Sequence, residues 1–120
     1  MPIDWELENN KLLIFTVSGR LSVEEYQAIH ATSKGIAQKT GKLNALIRLD
    51  GFEGWSADKH WGDISATEAI DPYLHKLAIV GDEQWRSLAE VFTLKGLRPV
   101  PIEYFVTGQE ATARRWLGSV

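Results

Sequence analysis

The chain has 120 residues, 44% of them hydrophobic and 24% charged, with a formal net charge of −3 and no cysteine. That length suits one domain with a real core, and the missing cysteines exclude a disulfide framework, a thiolate zinc site and a cysteine nucleophile. The acidic balance, with no basic run, gives nucleic-acid binding no electrostatic support, and the N-terminus carries no signal-peptide pattern.

The first four elements follow from periodicity and turn chemistry. Ile3 to Leu7 alternates apolar and polar, as a half-buried strand does. Asn9 and Asn10 tolerate the positive φ of a tight hairpin, so Leu12 to Val17 is its inner strand, ended by Gly19-Arg20. Ser22 and Glu25 form a capping box, Leu21 staples against Tyr26, and Tyr26, Ile29, Ile36 and Ala37 keep one helix face inward to about Gln38. Gly41 supplies the exit. Asn44 to Leu49 is a third strand in which Arg48 runs against the apolar pattern, and Asp50 to Ser56 is expected to be a loop with two glycines.

A weaker helix is expected from about Ala57 to Ala69, with Trp61 and Ile64 on one side and Asp71-Pro72 as its stop. His75 to Val80 is a fourth strand, ended by Gly81-Asp82 with Asp82 as the next helix cap. Trp85, Leu88, Ala89 and Phe92 fall at i, i+3, i+4 and i+7, an amphipathic helix over Glu83–Thr93. Pro101 to Val106 is a fifth strand whose prolines suit an edge. Thr107 and Glu110 read as a second capping box, with Ala113, Trp116 and Leu117 on the inner face of the last helix.

The order is β-β-α-β-α-β-α-β-α. Strict alternation after an opening hairpin gives an α/β fold: a mostly parallel five-stranded sheet with one antiparallel edge strand. Ligands of such sheets sit beyond the carboxyl ends of the strands, here at 19–21, 50–56, 81–82 and 107–108.

Leu46-Ile47-Arg48-Leu49-Asp50 leading into glycines, and Ala78-Ile79-Val80-Gly81-Asp82-Glu83-Gln84-Trp85, resemble the corresponding stretches of SpoIIAA-like proteins, relatives of the STAS domain. The resemblance covers nearly the whole chain as one domain. It implies either binding of apolar ligands or membranes, or a regulatory protein-interaction role. In anti-sigma factor antagonists the Ser or Thr directly after the third-strand Asp is phosphorylated; the matching place here is Gly51, and Ser56 is too far along to be its equivalent.

The residues that could carry chemistry are few. His60 and Asp63 share a helix face, but a metal needs a third and fourth ligand that no cluster with His30 or His75 supplies. There is no Gly-x-Ser-x-Gly elbow and no phosphate-binding glycine run, so neither hydrolysis nor nucleotide binding is expected. Arg114-Arg115 falls in a last helical turn, where cations complement the dipole.

The expectation is therefore a non-enzymatic, cytoplasmic binding module without metal or cofactor. In one reading it holds a small apolar or lipid-like ligand, with peripheral membrane contact, in a pocket walled by Trp61, Ile64, Trp85, Leu88 and Phe92. Asp50 and His60 would fix the ligand's polar head. In the other reading it is a STAS-type protein-interaction module without the phosphorylatable residue, its contact face the helix after Asp50. A solvent-facing Phe52–Trp55–Trp61 surface favours the second; a closed, lined cavity favours the first.

Overall fold

The computed structural model describes residues 3–55, 70–93, 95–96 and 98–118. The helix expected over Ala57–Ala69, and with it His60, Trp61, Asp63 and Ile64, lies outside these residues.

Strands β1 (Ile3–Glu8) and β2 (Leu12–Leu21) form the antiparallel hairpin, turning through Asn9 and Asn10 at φ 54° and 56°. Helix α1 (Val23–Thr40) starts at the capping box: Ser22 Oγ accepts from the Glu25 backbone N–H at 3.1 Å, and Glu25 Oε1 accepts from the Ser22 N–H at 3.0 Å. It stops where Gly41, at φ 94°, donates its N–H back to Ala37. Then come β3 (Leu43–Trp55), a 3-10 turn at Asp71–Tyr73, β4 (Leu74–Gly81), a second 3-10 turn at Glu83–Trp85, α2 (Arg86–Phe92), β5 (Ile102–Val106) and α3 (Glu110–Leu117). The sheet order is β1-β2-β3-β4-β5, with β2 to β5 parallel and β5 at the edge where its flanking prolines belong.

The sheet is covered on both faces, so its central strands are apolar on both sides. Leu13, Phe15 and Val17 of β2, Ala45 of β3 and Ile79 of β4 pack toward α1 and Ala89 of α2. The alternate residues Ile14, Leu46, Ala78 and Val80 pack beneath Ala113 and Leu117 of α3. Phe15, only 2% exposed, anchors the first layer, and truncating it to alanine is expected to cost about 3–5 kcal/mol.

Three local expectations need correction. The stretch Asp50–Trp55 is not a loop but the continuation of β3, paired with β2 as far as Leu21↔Trp55. Likewise β2 runs through Gly19-Arg20. Between Val17↔Leu49 and Leu21↔Trp55, β3 spends two residues more than β2, and Gly51 (φ 65°) and Gly54 (φ 102°) take up the bulges. Secondly, Thr107 does not cap α3: its hydroxyl donates to Asp82 Oδ1 at 3.3 Å, and α3 begins behind Gln109 with no side-chain cap. Thirdly, Asp82 makes no side-chain cap to the turn after it.

Arg48, which broke the apolar pattern of β3, reaches across the α3 face of the sheet to Glu110. Arg114 bridges the same Glu110 to Glu8 of β1, so α3 is tied to both halves of the sheet by charge as well as by packing. Arg114 thus has a sharper task than complementing a helix dipole.

Candidate functional site

The two bulges of β3 set the site. They turn Phe52 and Trp55 to the α1 side of the sheet, near its carboxyl end, where the second 3-10 turn delivers Trp85. The three rings meet edge to face, with centroids 5.0 Å (Phe52–Trp55), 5.1 Å (Phe52–Trp85) and 6.0 Å (Trp55–Trp85) apart. Edge-to-face geometry sets the positive rim of one ring against the negative face of the next. Gly54 makes this possible: a Cβ there would stand 3.4 Å from Trp85 Cη2, and φ 102° is open to glycine.

Under this cluster lies an apolar cavity of about 60 Å³ between the sheet, α1 and α2. Ile29 of α1, Leu77 and Ile79 of β4 and Ala89 of α2 form much of its wall, with Phe52 and Trp55. Besides Tyr26 and Thr93, two polar side chains also reach the wall. His30, one helical turn beyond Tyr26, stacks edge-on against that ring at 4.4 Å. Its Nε2 is closed off from solvent and has no hydrogen-bond partner. Burial, and then the positive charge of Arg98, push the imidazole down to about 4 from its ordinary 6.5, while Asp71 partly opposes the shift.

Arg98 is the second. It donates Nε and Nη2 to Asp71 Oδ1 at 2.9 and 2.6 Å, and Nη1 to the Thr93 carbonyl at 3.1 Å. Both side chains are nearly shut off from water, at 5% and 12% exposure, so the pair is an internal tie that neutralises itself.

At the rim, Tyr104 donates its hydroxyl to the Asp82 carbonyl at 2.6 Å. Burial, followed by the Asp82 charge, pushes this phenol up to about 12. It stays protonated near neutrality and acts as a structural donor.

Of the residues expected to bind ligand, Trp85 does stand in the aromatic cluster. Leu88 does not face inward: it is 54% exposed. The winding changes from 3-10 to α between Trp85 and Arg86, which carries position i+3 off the inner face while Ala89 stays on it. Asp50 is exposed on β3. Phe92 ends α2, and its side chain, like His60, Trp61 and Ile64, lies outside what is described. Phe52 is buried and Trp55 half-buried, both packed into the internal cluster.

Among the described residues, the large apolar side chains that face solvent at this end are Leu88 and Val91, the latter 73% exposed. They are three apart on α2 and so share one face. The reading from sequence overlooked the cavity role of His30, although its spacing from Tyr26 places it on the inner face of α1. No local signal pointed to the Asp71–Arg98 pair, whose members are 27 residues apart.

Among the described residues no group of three or more His, Cys, Asp or Glu side chains converges as a metal site would require. Nor is any described helix long and apolar enough to cross a membrane.

A protein family described as SpoIIAA-like matches residues 12–118. Among solved structures, the chain is similar to an uncharacterized protein with a SpoIIAA-like fold from Shewanella loihica. That match has 21% identity and a TM-score of 0.66, and covers 96% of this chain and 91% of the other. It is also similar to the anti-sigma factor antagonist SpoIIAA in its unphosphorylated form, at 13% identity and a TM-score of 0.58, covering 95% and 97% of the two chains. At these identities the likeness is one of fold. No curated protein matches the chain.

Proposed function

The chain belongs to the SpoIIAA-like family, and from that premise we propose that it is a non-catalytic regulatory module that works by binding a protein partner. The observation that carries the proposal is the pair Leu88 and Val91, two large apolar side chains side by side and open to solvent on α2. Such a pair favours burial against another surface. The fold shared with an anti-sigma factor antagonist supports the same reading.

The helix after Asp50, where a contact face was expected, lies outside the described residues. Phe52 and Trp55 are engaged in the internal cluster with Trp85, and among the described residues α2 offers Leu88 and Val91. At Gly51 the chain has no hydroxyl, and that position lies inside β3 rather than in a loop beyond it.

The lipid-ligand reading draws less support. A cavity of about 60 Å³ is well short of the roughly 150 Å³ in which an apolar protein interior takes up benzene, and an acyl chain is larger still. The residues meant to carry membrane contact lie outside those described.

Photo-crosslinking in the host cell tests the proposal. A photoreactive phenylalanine analogue replaces Val91, with Lys34 on exposed α1 as the control site. A discrete adduct at position 91, absent at position 34 and lost when Leu88→Arg is added, is the expected result. Identical adducts at both sites, or none at position 91, would remove the basis for placing a partner there.

A further inference from the structure

The cavity beneath the aromatic cluster has a feature that the partner-binding proposal does not use. His30 lines this apolar cavity, and its Nε2 is shut off from solvent with no hydrogen-bond partner. Buried polar atoms in native proteins are almost always satisfied, so a lasting orphan calls for an occupant. Arg98 and Thr93 on the same wall make no such demand: Arg98 is matched by Asp71 and the Thr93 carbonyl, and the Thr93 hydroxyl donates to the Ala89 carbonyl. At His30 the cavity therefore offers an unfilled hydrogen bond, with no uncompensated charge beside it.

This narrows the chemistry of the occupant. A carboxylate or an ammonium would enter an apolar space with no opposite charge free to meet it. A water molecule needs two to four polar partners to be held well, and the side chains of Arg98 and Thr93 are already engaged. A neutral imidazole presents Nε2 as a donor in one tautomer and an acceptor in the other, and a hydroxyl group satisfies either. The neutral form prevails at pH 7, since burial holds the ring down to about 4.

We infer that this cavity is a binding site for a small neutral molecule bearing one hydroxyl, seated with its oxygen on His30 Nε2 and its carbon skeleton against Ile79 and Ala89. The volume of about 60 Å³ sets its size at roughly three to five heavy atoms, by comparison with the larger void that benzene requires. The site is separate from the Leu88–Val91 face and stands whether or not that face binds a protein.

The test is an NMR titration of the whole chain with 1-propanol, and separately with xenon, which fills apolar voids without hydrogen bonding. With 1-propanol the shift of the His30 Nε2 nitrogen is expected to saturate, together with the methyl signals of Ile79 and Ala89. Xenon should move the methyl signals and leave the nitrogen in place. In His30→Leu the affinity for 1-propanol should fall at least tenfold while xenon is still taken up. In Ala89→Leu, which keeps the imidazole and fills the space, both probes should be lost.

A linear, unsaturable response of wild-type His30 to 1-propanol overturns the inference, whatever the variants do. So does equal 1-propanol affinity in wild type and His30→Leu, or a long-lived water on Nε2 that the alcohol fails to displace.

Discussion

Arg48 in the middle of β3 holds Glu110, the first residue of α3, through two parallel hydrogen bonds: Nε to Oε1 at 2.6 Å and Nη2 to Oε2 at 2.8 Å. The fork geometry matches guanidinium to carboxylate and fixes the approach of the helix to the sheet. Arg114 donates to the same carboxylate at 3.2 Å and to Glu8 at 2.8 Å, which extends the tie to β1.

Because Arg48 and Glu110 are each about a third exposed, at 30% and 33%, solvent screens much of their attraction. Glu110→Gln is expected to lower the unfolding free energy by about 1 kcal/mol, read from the urea midpoint at pH 7. Hydrogen bonding from Arg48 holds the Glu110 carboxyl below its ordinary 4.5. Its contribution is thus complete above pH 4.5 and lost as pH falls through the depressed value. The difference between wild type and variant should shrink in that acid range; a difference that persists there would mean the carboxylate charge is not what holds α3.

His30 governs a higher pH window. Its folded value of about 4 lies below the ordinary 6.5, so between those limits the unfolded chain binds a proton that the folded chain refuses. Stability should be full above pH 6.5 and decline toward pH 4, by about 3 kcal/mol over the whole window. His30→Leu should be flatter than wild type between pH 6.5 and 4.5. Urea unfolding at half-unit pH steps measures this; equal slopes for the two proteins would show that His30 is not buried as a neutral ring.

Two glycines give opposite expectations for the same substitution. A Cβ at Gly81 would lie 2.7 Å from the Tyr104 hydroxyl and 2.9 Å from Leu49 Cβ, in the packed end of β4. Gly81→Ala is expected to cost about 2 kcal/mol through overpacking, and to disturb the hydrogen bond from Tyr104 to Asp82. Gly35, inside α1, has no atom within 4 Å of such a Cβ. Gly35→Ala should stabilise the protein by roughly 0.5–1 kcal/mol, through helix propensity. Melting curves of the two variants should fall on opposite sides of wild type.

Much of the architecture was legible because it is written in local chemistry. The Ser22–Glu25 box, the Asn9-Asn10 turn and the prolines beside β5 each act within a few residues, and alternation of strand and helix did the rest. The continuation of β3 was not legible. Asp50-Gly51 and Gly54 have the composition of a loop, and only the pairing partner β2, running on to Leu21, keeps them in the sheet. The candidate site suffered similarly. Trp85 was found by helical periodicity, but Leu88 was misplaced by the change of winding between Trp85 and Arg86. The charges that act on His30 come from Asp71 and Arg98, far along the chain, and no short window of sequence contains all three.

The central claim, that the exposed face of α2 binds a protein, is tested most directly by the size of the particle that carries this chain in gently lysed host cells. Wild type and the double variant Leu88→Arg/Val91→Arg are compared, with equal helical content and melting temperature of the purified proteins as the control for folding. The claim predicts that wild type migrates in a discrete complex well above its own 13.5 kDa, while the variant is released to the mass of the free chain. Wild type migrating at its own mass, or a variant that stays in the same complex, would contradict it.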